Sequence, residues 1–526
     1  MGDGQQGVSG ATGLSIVPQS YILPLALLKR AKFGRNLTAD LHLMKNALRL
    51  SYLVMAVLAF AAWATVWFKA LYIPVTHDEL ASAVYYPKFS IWDLMMYPDP
   101  WPNNHILNSI LTKILLHFFG TNQVVLRLTN VLGFGIYAYA AFQICRLLFP
   151  RNPWAMPGLY ALMLLNPFLL DFFSLSRGYG LSASFVLLSA MFVLRGFMQQ
   201  RAADLGWAVF AGMLAAYANF TALIVWAAVS GLAFIYFLHQ QTSARTRWTH
   251  ISLLALADAC YLALVYTPLH KMQSTNQFEY WQSNGFFRET VLSLIQNSLY
   301  GSKMIDIPLD YFGVAAILFF CSLGAYAFYR WGRNGGEQVW RSPAMIAFAL
   351  LALTVFINIM QTVILKTPNL TTRTTLLLHP LFILCVGAAL HHLVEWRPRV
   401  GQITSLVLGV FCLYHMARTY QPRQVREWWY DANTFQVLDY LKSQQQGSDP
   451  VSITVDWRFH RSFDFYVQTG KAPYIALAPS KPQLDNQINT AYTYIFDSEY
   501  EMLKNTHDVV LKFDGGARML LKHKPQ

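Results

Sequence analysis

Two adjacent carboxylates, Asp78 and Glu79, follow the end of the first long apolar run, and His77, Asn103, Asn104 and His105 share the same polar stretch. Acids at a membrane boundary are costly to desolvate. In the company of imidazoles and amides they suit proton transfer or ligand binding; the alternative is a pair of solvated loop acids. A second cluster, Asp171, Arg177 and Tyr179 in NPFLLDFFSLSRGYG, sits where two apolar runs meet, as a polar site or as a local Asp171–Arg177 ion pair capping helix ends. A third, KTPNLTTRTTLLLHPLF, sets Lys366 and Arg373 among Thr371, Thr372, Thr374 and Thr375. Cations beside a bilayer can neutralise and hydrogen-bond a lipid-linked phosphate, or snorkel to ordinary headgroups. The loop HKMQSTNQFEYWQSNGFFRET carries Lys271, Glu279, Tyr280 and Trp281, which suit a sugar or headgroup site and equally an interfacial loop. Asn219 and His379 read as structural. The chain has no Walker loop, GxSxG elbow, HExxH or Rossmann fingerprint in a usable context, which argues against ATP-driven transport, serine hydrolysis and zinc proteolysis.

The elements that must position these residues are membrane helices. Of 526 residues, 55% are hydrophobic and 13% charged, about half the charge of a soluble domain. The deficit shows as apolar runs longer than the roughly 18 residues that cross a bilayer. The first extends from about Leu50 to Ala70 and reads as an uncleaved signal-anchor behind a polar segment, 1–49, that holds Lys29, Arg30, Lys32 and Arg35. Later runs centre near Gly135, Met163, Leu187, Phe210, Ala228, Ala257, Ile317, Leu353, Leu384 and Gly409, giving about eleven spans. The net charge of +13 resides in short loops between spans, a topogenic pattern rather than a nucleic-acid surface. Arg146 and Arg151, Arg195 and Arg201, Arg245 and Arg247, Arg330, Arg333 and Arg341, and Arg397 and Arg399 fall on one side with the N-terminus, so that side is expected to be cytoplasmic. The opposite side then carries the first external loop (71–122, with an amphipathic segment His105–Phe119), Arg177, Arg373 and the region 419–526. That region alternates like strands in VSITVDW and TAYTYIFD and is helical in NTFQVLDYLKSQ, a small α/β domain. Cys145, Cys260, Cys321, Cys385 and Cys412 lie in or beside apolar runs without metal spacing, so disulfides are not expected.

HDE just after the first span, then NNH, an amphipathic helix and LRLTNVLGF, resembles the GT-C glycosyltransferases, most closely the bacterial protein O-mannosyltransferase-like branch (family 39/83-type) that includes the lipid A aminoarabinose transferases. SRGYGLS, TTRTTLLLHPLF and EWWYDANTFQVLDYLK extend the resemblance over nearly the whole chain. It implies an all-α polytopic GT-C fold over 50–418, with a small α/β periplasmic domain over 419–526, in a bacterial inner membrane. It implies inverting transfer of a sugar from a polyprenyl-phosphate-linked donor to a glycolipid, polysaccharide or protein acceptor on the external face, with the lipid bilayer and no nucleic acid as partner. Asp78 matches the family's catalytic base and Glu79 the second acid of its DE pair. Arg373, then Lys366 and Arg177, are expected to hold the donor phosphate, and His77, Asn104, His105, Asp171, Tyr179, Lys271 and Tyr280 the substrates. No cofactor is assigned with certainty; a divalent metal, if used, would fall to Glu79 and His105. Two departures bear on donor and acceptor specificity. Ser176, Arg177, Gly178 and Tyr179 stand where the family often has an acid followed by Arg, Pro and Tyr, and Ile106 follows Asn104 and His105 where the family has Pro. The rival from another class is a multi-span transporter or lipid-linked sugar flippase. Internal repeats and midplane charges would mark one, whereas here no repeat is seen and the charges gather at one face.

Overall fold

A computed structural model describes residues 37–277, 284–301, 308–334, 340–484 and 488–524. The chain divides into a unit ending at Leu50, of which the described part is helical, and a unit of Ser51–Gln526. The second is a helical bundle bearing a small α/β domain. Helices α1 (Leu37–Tyr72), α2 (Ile106–Phe119), α3 (Gln123–Leu148), α4 (Met156–Leu164), α5 (Pro167–Phe173), α6 (Gly178–Gln199) and α7 (Ala202–Ala218) come first. They are followed by α8 (Leu223–His239), α9 (Ala244–Ser274), α10 (Leu309–Asn334), α11 (Pro343–Leu365), α12 (Leu378–Trp396) and α13 (Pro398–Thr419).

Among the described residues nine helices are long and apolar enough to cross a membrane, or ten with α4 and α5 taken as one span bent by 63°. The protein is a multi-pass membrane protein. The bend has a local cause: Pro167 cannot continue the preceding helix, and the Asn166 side chain caps the next one by accepting from the Leu169 N–H at 3.1 Å. The eleventh expected span is α7, which at 17 residues falls just short of a full crossing. The amphipathic segment of the first loop is the helix α2, also shorter than a span.

Buried α6 lies at the centre of the bundle, and its serines tie it to both neighbours. Ser184 Oγ donates to the Gly133 carbonyl on α3 at 2.8 Å, while Ser182 and Ser189 donate to Ala215 and Ala208 on α7 at 2.9 and 2.7 Å. With no water between helices, small residues and such hydroxyls replace the hydrophobic effect as the adhesive. The α4–α13 crossing is tighter still. A Cβ on Gly158 would lie 1.8 Å from the Ser405 carbonyl oxygen, and one on Gly409 would lie 2.9 Å from the Gly158 Cα.

After α13 come α14 (Thr434–Gln444), β1 (Val451–Val455), α15 (Trp457–Gln468), β2 (Ile475–Leu477), β3 (Tyr492–Phe496), β4 (His507–Phe513) and β5 (Arg518–His523). The sheet order is β2-β1-β3-β5-β4, with β1 parallel to β2 and β3, and β5 antiparallel to β3 and β4. The strand and helix patterns expected from VSITVDW, TAYTYIFD and NTFQVLDYLKSQ correspond to β1, β3 and α14. This domain does not complete its own core. Val75, Ala83 and Leu126 from the loop after α1 and the start of α3 are buried in one cluster with Ile453, Val455, Phe459, Phe463 and Tyr494. Polar contacts fix the same seam: Val75 N–H donates to Tyr466 Oη at 2.9 Å, and Ser462 Oγ donates to the Val75 carbonyl at 2.6 Å. All five cysteines are free.

The α4–α13 contact gives the first prediction. Gly158→Ala should lower the thermal midpoint in detergent, by about 1–3 kcal/mol of overpacking strain. Gly206→Ala, whose new methyl meets nothing within 4 Å, should leave it unchanged or raised. Equal midpoints for the two variants would refute this account of the crossing.

Candidate active site at the end of the bundle

The site grows from a buried ion pair one residue away from it. Glu79 is fully buried, and Arg127, one turn into α3, grips it with Nε on Oε1 at 2.9 Å and Nη2 on Oε2 at 2.7 Å. The remaining guanidinium hydrogens go to backbone carbonyls where α1 ends: Nη1 to Ala70 and Ile73 at 3.0 and 2.7 Å, and Nη2 to Pro74 at 2.8 Å. Glu79 also accepts from the backbone N–H of Ser176 at 2.7 Å and of Thr76 at 2.9 Å. Burial pushes its carboxyl up, but Arg127 and these donors outweigh burial and hold it below the ordinary value.

The neighbours in sequence, Asp78 and Arg177, are thereby brought face to face. Asp78 Oδ2 lies 3.3 Å from Arg177 Nη2 and 3.3 Å from Arg373 Nη1. Arg177 is buried and further held by the Asp78 carbonyl at 3.2 Å and Asn103 Oδ1 at 3.1 Å. Burial pushes the Asp78 carboxyl up, and Arg177 and Arg373 overcome that and keep it ionised. Its side chain remains 14% exposed. Arg373 also reaches Glu427 Oε1 at 3.5 Å and lies over the rings of Trp428 and Tyr179, 5.4 and 6.0 Å from their centroids. Burial raises the Glu427 carboxyl above its usual value, against the pull of Arg373. Gly178 makes the close packing possible, because a Cβ there would lie 2.0 Å from the Ala218 carbonyl and 2.7 Å from His105 Cβ. His105 is buried edge-on to Tyr179, and its Nε2 has no partner. Burial, then Arg177, keeps this imidazole neutral to well below its usual range.

Of the residues expected from sequence, Asp78, Arg177, Arg373, His105 and Tyr179 converge here. His77 flanks them, its N–H donating to Asp431 Oδ2 and its Nδ1 meeting the Arg458 carbonyl, both at 2.9 Å. Burial pushes the Asp431 carboxyl far up. The others have different partners. Glu79 is fully buried, and both its oxygens are engaged by Arg127. Asn104 is buried, donating to the Leu94 carbonyl and accepting from Ser109, at 3.0 and 2.9 Å. Asp171 pairs with Lys69 rather than Arg177, and accepts from Tyr300 Oη at 2.6 Å and the Arg426 N–H at 2.9 Å. Lys271 donates to the carbonyls of Met96 and Tyr97, both at 2.8 Å, and so braces the first loop. Lys366 is exposed in a left-handed helix cap and joins none of the Asp78 or Arg373 contacts. Tyr280 lies outside the described residues. The threonines around Arg373 serve the backbone, Thr371 and Thr374 in a reciprocal cap and Thr375 on the Thr372 carbonyl. Sequence reading missed Arg127, Lys69 and Glu427. The first two carried a signal, as ionisable residues inside apolar runs; Glu427 carried only its place in the aromatic run EWWYDAN.

Fold and site define a polytopic membrane protein with an ionised acid–base cluster where the helical bundle meets an α/β domain. No protein-family model and no curated protein matches the chain. Among solved structures it is similar to ArnT from Cupriavidus metallidurans in the apo state, with 13% identity, 90% of this chain and 99% of that one covered, and a TM-score of 0.39. The same protein bound to undecaprenyl phosphate gives 14% identity, 90% and 99% coverage, and a TM-score of 0.38. The apo oligosaccharyltransferase of Archaeoglobus fulgidus gives 12%, 89% and 70%, and 0.42.

The clamp predicts its own test. Arg127→Met strands a buried carboxylate and should destabilise the protein by about 3–5 kcal/mol, read as a loss of thermal midpoint at neutral pH. Because the Glu79 carboxyl is depressed in the folded state, the contribution is complete above the unfolded carboxylate value and vanishes as pH falls through the folded one. An Arg127→Met melt matching wild type would contradict this.

Proposed function

We propose that the protein is a GT-C-type glycosyltransferase that moves a sugar, with inversion, from a polyprenyl-phosphate-linked donor to a glycolipid, glycan or protein acceptor at the non-cytoplasmic face of a bacterial inner membrane, with 419–526 as its periplasmic domain. The observation that carries the reading is the ionised, partly exposed Asp78 carboxylate held between Arg177 and Arg373 where spans end. The resemblance in HDE, SRGYG and TTRTT converges on the same three residues. The basic loops supply the orientation, because Arg146, Arg195, Arg333 and Arg397 stand at the opposite helix ends along the chain.

In this reaction an acceptor hydroxyl approaches the anomeric carbon from the side opposite the lipid phosphate. Its proton passes to Asp78 as the new C–O bond forms, and the bond from the anomeric carbon to the phosphate oxygen breaks with its electron pair leaving on the polyprenyl phosphate. The general base is worth about 10²–10⁴ in rate. Arg373, the more exposed guanidinium, takes the leaving phosphate charge. Arg177 orients Asp78. A site at the end of spans lets the polyprenyl chain stay in the bilayer.

Purified Asp78→Asn, assayed with labelled polyprenyl-phosphate sugars, should lose about 10²–10⁴ in kcat while still folding and inserting in the membrane; transfer at the wild-type rate would overturn the assignment. Arg373→Gln should raise the donor KM. It also removes one of the cations that depress Asp78, so the acid limb of kcat/KM should move to higher pH. An unchanged KM and limb would take Arg373 out of the site.

A further inference from the structure

At the other end of α12, His391, His392 and Glu395 bring an imidazole nitrogen each and a carboxylate to one point, with the three ligand atoms within 4.8 Å of one another. His391 Nε2 is 3.4 Å from Glu395 Oε1, and His392 Nδ1 is 3.9 Å from Glu395 Oε2. Zinc–nitrogen and zinc–oxygen bonds of about 2.0–2.2 Å place tetrahedral ligand atoms roughly 3.3 Å apart, so small rotations of these side chains would close on an ion. The outer contacts have the form that metal-bound histidines need. His391 Nδ1 lies 2.5 Å from the Leu148 carbonyl at the end of α3. A carbonyl can only accept, so the proton is on Nδ1 and the Nε2 lone pair is free. His392 Nε2 lies 3.4 Å from Ser342 Oγ, just before α11, and with that hydroxyl accepting, its Nδ1 lone pair turns toward Glu395. The imidazoles are half-buried between helix ends, with Phe149 beside His391 and Tyr326 beside His392, while Glu395 is exposed and offers an entry path.

We propose that His391, His392 and Glu395 form a structural divalent-metal site, of zinc type, with a water in the fourth position. It lies roughly 20 Å along the axis from the start of α12, away from the Asp78 cluster. The ion would join the α12–α13 corner to Leu148 and Ser342, fastening four helix ends. This site is independent of the transferase reading.

The test uses the full chain purified on a histidine-free tag, stripped with chelator and dialysed against micromolar Zn²⁺. Metal analysis should find one more zinc per chain in wild type than in His391→Ala/His392→Ala, and added Zn²⁺ should raise the thermal midpoint of wild type only. Glu395→Gln, a change at an exposed side chain that keeps the fold, should weaken zinc binding at least about tenfold in a competition titration with a fluorescent chelator. Asp78→Asn should keep the zinc. Equal zinc content in wild type and the double variant, no binding at all, or undiminished affinity in Glu395→Gln would each overturn the site.

Discussion

The site depends on the buried Arg127–Glu79 clamp. Taking two such ions out of water costs several kcal/mol each, and the attraction between them offsets this only when the remaining hydrogen-bonding positions are also filled. Here they are: two carboxylate oxygens and three backbone carbonyls accept from the guanidinium, and two backbone amides donate to the carboxylate. A less complete arrangement would leave a charge unpaired, so the end of α1, the Thr76–Glu79 turn and the strand of chain entering α6 are held in one geometry. Asp78 is next to Glu79, and Arg177 is next to Ser176, whose N–H the same carboxylate accepts. One buried acid therefore sets both members of the Asp78–Arg177 pair.

The same device recurs. Asp171, held by Lys69 and Tyr300, accepts from the N–H of Arg426 and so places Glu427. Asp431 accepts from the N–H of His77 and so fixes the other flank of Asp78. In each case a buried acid accepts from the backbone N–H of a residue next to a chemistry-bearing one, and the acid comes from a distant part of the chain. The α/β domain belongs to this scheme. Because its core takes in Val75, Ala83 and Leu126, docking the domain and shaping the first loop are one folding event, and the domain delivers Glu427, Trp428 and Asp431 to the cluster.

Much of this was legible in the sequence. Length and hydropathy located the long helices of the bundle, though not the break between α4 and α5, and strand alternation found β1 and β3, because burial in these elements follows a simple period. Asp78, Arg177 and Arg373 stood out because charges are rare near spans. What could not be read was pairing. Asp171 and Arg177 are close in sequence, yet Asp171 turns to Lys69 on α1 and Arg177 to Asp78, since α5 and α6 are joined by a turn that sends the two side chains to different faces. The threonines beside Arg373 looked like phosphate ligands and instead cap a tight turn, a local competition for hydroxyls that composition does not reveal. α7 reads as a span from its apolar content alone, and its 17 residues end early because Asn219 turns the chain.

The two arginines on Asp78 are not equivalent, and the difference bears on how the proposed base would work. Arg177 is buried and has a backbone carbonyl and Asn103 to hold it in place. Arg373 is 28% exposed, and its contacts to Asp78 and Glu427, at 3.3 and 3.5 Å, are long beside the roughly 2.7–2.9 Å of strong charge-assisted bonds. A lipid phosphate, with more charge and more acceptor oxygens than either carboxylate, competes effectively for that guanidinium. If Arg373 turned to the phosphate, Asp78 would lose one of the cations that depress its proton affinity while Arg177 still held its orientation. In the proposed reaction the carboxylate would then become more basic when the donor is in place and an acceptor proton has to be taken, which would couple donor binding and base strength through a single side chain.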